Sequence, residues 1–364
     1  MMKKRWILSV AAGMTSMALL VGCSSFDGND PAITVGDTEI TADVANFYAR
    51  QTQAGYETYM SAYFGEDMWK SEAGEGKSYE DSVKEAIQEE LEEMVLLEKH
   101  MSDYDVSLSD SEKQVISTTA QEFDEDNTLE EKELISGEKE VVERVLTLMA
   151  IQQKMTEAIQ ADADTEVSDE EAAQKAMSYV MFSYKKTDEA GESIDLSDEE
   201  KKEVQEKAEQ LAEGAKNGED FAVLAEAAEV EVQTATFSSD SQSPHEDLIK
   251  AADALEEGGA TGVIDTDEGC YVAKVTSLLD REATDAKKEE IVSERKTALY
   301  EETCNKWKED AEITVHNRVW KKIDFNDLSV TMKVKEDVPY ADEVTTDDQA
   351  ADKEKGESQE NKTE

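Results

Sequence analysis

Proline, cysteine and histidine are all scarce in this sequence, with only three of each among its 364 residues. So few cysteines exclude a fold that is held together by a dense set of disulfides. The histidines, His100, His245 and His316, are too far apart in the chain to form a zinc site of short spacing. We therefore predict no bound metal and no other cofactor. Because glycine is also modest at 17 residues, a Pro- or Gly-rich low-complexity chain is excluded as well.

Basic residues are few in comparison with acidic ones. The chain has 37 Lys and Arg against 88 Asp and Glu, which gives a formal net charge of −51. Such a surface repels phosphates and so excludes nucleic acid as a partner. Basic or unfolded polypeptides and cations are the partners that this charge favours. The length predicts two or three domains, and 38% hydrophobic residues are enough to give them cores.

The amino terminus has the pattern of a secretion signal. Basic residues at positions 3–5 precede a mostly apolar run over residues 6–20, which is too short for a comfortable membrane span. The Leu-Val-Gly-Cys that ends at Cys23 resembles a bacterial lipobox, in which the cysteine is diacylated. We expect a signal peptide over residues 1–22 and a lipidated tether over 23–30, which holds the protein outside the cytoplasm on the bacterial cell membrane. The alternative is an ordinary signal peptide with a chance cysteine.

The next part of the chain is predicted to be mostly helical. Residues 33–41 have the pattern of two short strands around a Gly-Asp turn, and Thr41 is a suitable N-cap for the helix that follows. Further on, apolar residues recur at helical spacing and predict the buried faces of two long helices. The residues of these two faces are Val83, Ile87, Leu91, Met94, Val95 and Leu97, then Val141, Val142, Val145, Leu146, Leu148, Met149, Ile151 and Met155.

Capping boxes mark three further helix starts. A Ser followed three residues later by Glu occurs at Ser109-x-x-Glu112, Ser168-x-x-Glu171 and Ser197-x-x-Glu200. In this arrangement each side chain accepts a backbone N–H of the other residue, which satisfies two donors that the first turn of a helix leaves open. The acidic stretch 124–133, by contrast, has the composition of a loop or of a frayed helix end.

The stretch from Met177 to Val275 has a different pattern. It opens with a strand-like run over 177–184 and closes with another over 269–275, and between them lie two helices and a short strand that ends at Phe237. Three landmarks occur in order: an octet Gly-Glu-Asp-Phe-Ala-Val-Leu-Ala, a helix that ends in Leu-x-x-Gly, and a final strand with Gly-x-x-Val. Their order and spacing resemble the parvulin-type peptidyl-prolyl isomerase domain.

The short strand, the Gly-Asp turn, the Glu-Ile-Thr and the aromatic helix over residues 33–48 resemble the opening of the SurA/PrsA-type chaperone domain. In PrsA- and SurA-like foldases, the segments before and after the parvulin domain fold together. The resemblance implies an α+β protein in which segments 31–165 and 284–330 form one helical chaperone domain. The parvulin-like domain at 167–279, a small antiparallel sheet flanked by helices, is inserted between them. Residues 332–364 are acidic, lack apolar periodicity and are predicted to be a disordered tail.

The parvulin resemblance also assigns site residues. Parvulins use an apolar proline pocket and two histidines on adjacent strands, and they form no covalent intermediate. The histidine positions align with Tyr179 and Tyr271, which are therefore the candidate catalytic residues. The candidate substrate-binding residues are Met181, Phe237 and Leu248. The alternative for the two tyrosines is a pair of strand aromatics that stabilises the sheet.

The sequence departs from the parvulin pattern in two further respects. Another pocket position aligns with Asp253, where an unpaired carboxylate would oppose the burial of an apolar ring. The Gly-rich segment that usually precedes the aromatic strand is absent. Phosphate-directed parvulins place several basic residues in the loop that corresponds to 185–197, where this chain has only Lys185 and Lys186 among acidic residues. We therefore expect no phosphate-specific recognition.

The function expected from these features is that of a membrane-anchored, extracytoplasmic foldase or chaperone. Its clients would be unfolded or partly folded secreted polypeptides, with isomerase activity left open. The alternative is a non-catalytic holdase or assembly scaffold in which the parvulin domain is structural. A solute-binding lipoprotein would need repeated βα units, and the long helices argue against them. If Cys23 carries lipid, Cys270 and Cys304 remain; two free thiols are expected, and a disulfide between them is the alternative.

Overall fold

A computed structural model describes residues 27–333, apart from residues 61, 62, 64, 66, 75, 189 and 190. The predicted signal peptide 1–22, the predicted lipid attachment site Cys23 and nearly all of the predicted tail 332–364 lie outside the described residues. The chain divides into two compact units. The first contains the described residues up to Lys154 together with those from Lys308 onward, and the second is Met155–Trp307.

The helices and strands follow one another in the order that the sequence predicts for most of the chain. The helices are Ala42–Tyr59 (α1), Tyr79–Lys99 (α2), Asp110–Asp126 (α3), Leu129–Ile135 (α4), Lys139–Ala161 (α5), Asp198–Lys216 (α6), Phe221–Ala227 (α7), Glu246–Asp253 (α8), Arg281–Asp310 (α9) and Asn317–Trp320 (α10). The strands are Pro31–Val35 (β1), Thr38–Thr41 (β2), Lys175–Ser183 (β3), Lys185–Thr187 (β4), Ser193–Asp195 (β5), Gln233–Phe237 (β6), Ile264–Asp265 (β7), Gly269–Ser277 (β8) and Ile313–Val315 (β9).

The sheet of the first unit joins the two ends of the described chain. Its strand order is β2-β1-β9, and β1 pairs antiparallel with both neighbours. Ile33, which is fully buried, lies opposite Val315, and the Trp320 indole N–H donates to the Ala32 carbonyl at 3.2 Å. The segments before and after the second unit therefore fold together. This confirms the predicted α+β organisation, in which a sheet domain is inserted into a helical one.

Capping boxes begin four of the described helices, including the two predicted at Ser109 and Ser197. A third begins α2 at Ser78, and a fourth, at Thr128, begins α4 within the acidic stretch 124–133. Of the two alternatives for this stretch, a helix end is present because α3 ends at Asp126. A loop over the rest was wrong, because the box and the fully buried Ile135 hold the short helix α4 in place. The prediction of a helix start at Ser168 was also wrong: its Oγ accepts the Glu171 N–H at 3.1 Å, but only a turn forms.

The second unit is built on an antiparallel sheet with the strand order β6-β3-β8-β7. Successive side chains of a strand point to opposite faces. On one face, Val180, Phe182 and Val272 pack with apolar residues of α6 and α7. On the other face, Met177 and Val275 pack with apolar residues of α8. This is the small antiparallel sheet flanked by helices that the sequence predicts for the inserted domain.

The first part of α9 belongs to the second unit. Asp169 forms an ion pair with Arg281 at 2.7 Å, and the Thr284 hydroxyl accepts the Gln174 N–H at 3.1 Å. These contacts tie the start of α9 to the chain that enters the sheet. The second unit thus extends beyond 167–279, and the limits that we predict for independently folding segments stay predictions.

Two expectations from the sequence concern membranes and thiols. Within residues 27–333, none of the helices combines the length and apolar character that crossing a bilayer requires. Cys270 and Cys304 are both buried and form no disulfide, as expected. Cys270 lies under α6 in the sheet, where burial raises the pKa of its thiol to about 11 and so keeps it protonated at neutral pH.

Candidate functional site

The register between β3 and β8 decides where the two candidate tyrosines lie. Tyr179 is opposite Ala273, and Met181 is opposite Tyr271. The two tyrosines are therefore diagonal neighbours on the face that α8 covers. Their ring centroids are 6.4 Å apart, and the ring planes are inclined by 40°.

All five site residues predicted from the sequence come together on this face. Tyr179, Tyr271, Phe237 and Leu248 belong to one buried cluster, and Met181 packs against it from a half-buried position. Phe237 ends the edge strand β6, and Leu248 lies in the first turn of α8. Side chains along β3, β6 and β8 point alternately to the two faces of the sheet, and the apolar face of α8 covers one of them. These two features are sufficient to place the five residues together.

Burial differs among these residues in a way that bears on their roles. Phe237 and Leu248 are 0% exposed, whereas Tyr179 is 9% and Tyr271 is 4% exposed. A side chain without exposed surface cannot contact a peptide unless the site opens. In the described state, Phe237 and Leu248 therefore support the site from behind, and the half-buried Met181 is the apolar side chain that a peptide can reach.

The hydroxyl groups of the two tyrosines have different surroundings. The Tyr179 hydroxyl donates to the Gln233 side-chain carbonyl across the β3–β6 pair. Burial raises the pKa of Tyr271, and the nearby Glu268 carboxylate and Tyr179 add to the increase. The Tyr271 phenol is therefore uncharged at neutral pH, so it can donate or accept a hydrogen bond but cannot supply a negative charge.

His245 is a residue of this site that the sequence interpretation missed. Its ring centroid lies 5.8 Å from that of Tyr271, and the two ring planes are inclined by 33°. Its backbone is extended and it is the N-cap of α8, so the start of the helix brings the ring to the sheet. The sequence signal was weak, because histidine is not among the favoured N-cap residues and no other histidine lies near it in the chain.

Asp253 does not have the role that the sequence suggests. Its carboxylate lies 2.9 Å from Lys175 Nζ, and the same ammonium group donates to the Asp253 backbone carbonyl at 2.6 Å. The carboxylate is thus paired at the end of α8 and lies outside the apolar cluster. The expectation that an unpaired Asp253 carboxylate opposes proline burial in the pocket was therefore wrong.

The loop at the other end of β3 has little capacity to bind a phosphate. β4 and β5 form a small hairpin whose residues are all exposed. Of its two lysines, Lys186 is paired with Glu200, the partner of Ser197 in the capping box that begins α6. Among the described residues there is no group of three or more His, Cys, Asp or Glu side chains that could hold a metal ion.

Comparison with known proteins locates the family signal in the second unit. Residues 152–291 match the family described as the PPIC-type PPIase domain. No curated protein sequence matches the chain. The match covers the whole four-stranded sheet, the helices on both of its faces, and the start of α9.

The solved structures to which this chain is similar include those of three bacterial proteins. Foldase protein PrsA from Streptococcus pneumoniae is 18% identical, covers 71% of this chain and 99% of its own, and has a TM-score of 0.28. PrsA from Bacillus cereus is 15% identical, with coverages of 72% and 98% and a TM-score of 0.30. A protein from Campylobacter jejuni, described in a study of two SurA-like chaperones, is 14% identical, with coverages of 79% and 100% and a TM-score of 0.29.

The assignment of the domain therefore rests on the family match and on the arrangement of the sheet. The sheet order, the two covering helical layers and the tyrosines at the expected strand positions all lie within the matched residues. The superpositions, at TM-scores of 0.30 or less, carry no part of this argument. Residues 152–291 of this chain form a PPIC-type, or parvulin-type, peptidyl-prolyl isomerase domain.

Proposed function

We propose that this protein is a membrane-anchored extracytoplasmic foldase that binds unfolded secreted polypeptides and isomerises X–Pro bonds weakly or not at all. The proposal rests on which residues occupy the parvulin site and on how deeply they are buried. The domain matches the PPIC-type family, but Tyr179 and Tyr271 stand where the parvulin resemblance expects the two histidines, and the apolar Phe237 and Leu248 beside them are fully buried. Such a domain keeps the fold that binds a peptide, but it lacks the two histidines and the accessible apolar pocket that isomerisation requires.

The chemistry of isomerisation explains why these changes matter. Rotation about an X–Pro bond is slow because it breaks amide resonance, and a catalyst must favour the twisted amide over the planar one. An apolar pocket disfavours the dipolar planar form, and hydrogen-bonding groups favour the twisted one. Here Phe237 and Leu248 offer no surface to a proline ring, and the Tyr179 hydroxyl is already engaged by Gln233.

The first unit has features that suit client binding. Large apolar side chains are exposed on it, including Tyr59 at 57%, Leu129 at 69% and Leu134 at 37%. Exposed apolar groups next to charged surface can hold an unfolded chain, which exposes both apolar and basic groups. None of these residues belongs to the parvulin site. Binding by the first unit would therefore continue whether or not the second unit is catalytic.

The first test compares the two activities in one preparation. We expect the purified soluble form, residues 24–364, which lacks the predicted lipid site Cys23, to suppress aggregation of an unfolded client and to show weak or no isomerisation of a proline peptide. Replacing Tyr179 and Tyr271 together by histidine should not restore strong isomerisation, because Phe237 and Leu248 stay buried. Robust isomerisation by the unmodified chain that is lost in Tyr179→Phe or Tyr271→Phe would contradict the proposal and make the tyrosines catalytic.

The second test concerns the anchor, which the lipobox-like sequence before Cys23 supports. We expect Cys23→Ala to move the protein from the membrane fraction to the soluble extracytoplasmic fraction, because one diacylated residue supplies the attachment. Immunoblots of fractionated cells measure the distribution, and Cys304→Ala is the control for loss of a thiol. A mature Cys23→Ala protein that has lost residues 1–22, carries no lipid and still stays in the membrane fraction would show that the anchor is elsewhere.

A non-catalytic holdase or assembly scaffold is the second candidate function. It is favoured by the complete burial of Phe237 and Leu248, which fits a parvulin domain that has become structural. The two candidates differ in proline dependence. A foldase binds a peptide that contains proline better than the same peptide with alanine in its place. A holdase with a structural parvulin domain binds both peptides equally.

A further inference from the structure

His245 is held in a defined orientation beside the parvulin sheet. Its Nδ1 accepts the backbone N–H of Asp247 at 3.2 Å, the hydrogen bond that caps α8. Since Nδ1 is the acceptor, the neutral imidazole carries its proton on Nε2. No described residue pairs with that Nε2–H, and the ring is half-buried.

The Tyr271 hydroxyl is a second hydrogen-bonding group beside the Nε2–H of His245. The Tyr271 ring is packed against that of His245, with 5.8 Å between the centroids, and only 4% of Tyr271 is exposed. Its hydroxyl makes no hydrogen bond with any described residue. The Tyr179 hydroxyl, by contrast, is used by Gln233. Two adjacent side chains, His245 and Tyr271, thus have hydrogen-bonding capacity that the fold does not use.

We propose that His245 and Tyr271 together form the hydrogen-bonding end of this site and bind the carbonyl oxygen that precedes proline in an extended peptide. In this arrangement, the helix cap supplies the imidazole that parvulins place on the first strand. The inference rests on the proposed function, since it names the groups by which the parvulin domain of the foldase recognises an X–Pro segment.

The chemistry of an X–Pro segment fits these two groups. Proline has no N–H, so the acceptor next to its ring is the carbonyl oxygen of the preceding residue. The Nε2–H of neutral histidine and the hydroxyl of tyrosine are both donors to such an oxygen. The half-buried Met181 lies opposite Tyr271 in the sheet and offers a flexible apolar contact to the proline ring.

The experiment measures binding of a blocked Ala-Leu-Pro-Phe peptide and of Ala-Leu-Ala-Phe to the mature chain by calorimetry. The test variant is His245→Asn, because asparagine is a favoured N-cap that can still accept the Asp247 N–H while the imidazole is lost. We expect His245→Asn to weaken binding of the proline peptide by about fivefold to tenfold. Thermal unfolding should be unchanged. His100→Asn, in the first unit, is the control for removal of a histidine, and we expect it to bind like wild type.

Tyr271→Phe extends the test to the partner group. We expect a similar weakening, and the double variant should lose less than the product of the two single effects, because both groups donate to one oxygen. Wild-type affinity for the proline peptide in His245→Asn would overturn the proposal, as would equal wild-type affinity for the two peptides. Aggregation suppression separates the two hypotheses: its absence, with His245-dependent peptide binding intact, refutes the foldase function and leaves this inference standing.

Discussion

Replacing Glu57 by alanine is expected to destabilise the first unit by about 3–5 kcal/mol, the largest effect that we predict for a single polar side chain. One carboxylate oxygen of Glu57 accepts from Gln53 Nε2 at 2.6 Å and from Trp69 Nε1 at 2.9 Å. The other accepts from the Ser329 hydroxyl at 2.6 Å and from the Val330 N–H at 2.8 Å. This one side chain thus joins α1 to the segment that follows α10.

The size of the effect follows from what Glu57→Ala leaves behind. Trp69 is 4% exposed and Val330 is 2% exposed, so two buried N–H groups would lose their acceptor. An unsatisfied buried donor costs about 1–3 kcal/mol, and the hydrogen bonds lost here are to a charged group. Gln53 is less affected because its amide also donates to the Leu328 carbonyl at 2.6 Å.

Urea unfolding followed by tryptophan fluorescence measures this change, because Trp69 is itself one of the donors. The matched control is Glu85→Ala on α2, whose carboxylate is half exposed and pairs with Lys77 at 2.6 Å. An exposed ion pair contributes about 0–1 kcal/mol. Equal stability losses in the two variants would show that the Glu57 hydrogen bonds do not hold the carboxyl-terminal segment in place.

Gly269→Ala is expected to destabilise the second unit by about 3 kcal/mol or more. Gly269 begins β8 opposite Ser183, and a Cβ atom at this position would lie 2.2 Å from the Phe182 carbonyl oxygen. The neighbouring atoms are backbone atoms of β3, which cannot move aside as the end of a flexible side chain could. The strand pair must therefore shift, and with it the register that sets Tyr271 beside Tyr179.

Gly262→Ala is the matched control in the same unit. Its Cβ would meet only the flexible end of Lys216, at 3.5 Å from Nζ. We expect its stability to be unchanged or raised by up to about 1 kcal/mol, since alanine lowers the entropy of the unfolded chain. Thermal unfolding followed by circular dichroism compares the two variants. A Gly269→Ala protein as stable as Gly262→Ala would contradict the close approach of β3 and β8.

The local features of the sequence were predictive where one short segment decides the outcome. The capping boxes at Ser109 and Ser197 formed as predicted, because both partners lie within a single helical turn. The strand that ends at Phe237 was also predicted correctly. The failures were local as well: α4 was missed because the buried Ile135 stabilises a sequence that is acidic elsewhere.

The site shows where sequence reasoning reached its limit. The side chains of Tyr179, Tyr271, Phe237 and Leu248 could be grouped from strand alternation and family resemblance, and the structure places them in one cluster. The role of Asp253 could not be inferred, because its partner Lys175 lies 78 residues away in the chain. Which side chains remain accessible, Met181 rather than Phe237, also depends on how α8 packs on the sheet.

The sequence by itself determined the secondary structure of most elements, the insertion of a parvulin-type domain into a helical one, and the presence of tyrosine at positions 179 and 271 of the two central strands. These depend on residue type, local spacing and capping, which act within a few residues. Only the tertiary structure decided that His245 lies against Tyr271. The first residue caps α8 and the second lies in β8, and the two elements meet only when the helix packs on the sheet. A contact between residues distant in sequence depends on strand register and on the packing of α8, which no local pattern encodes.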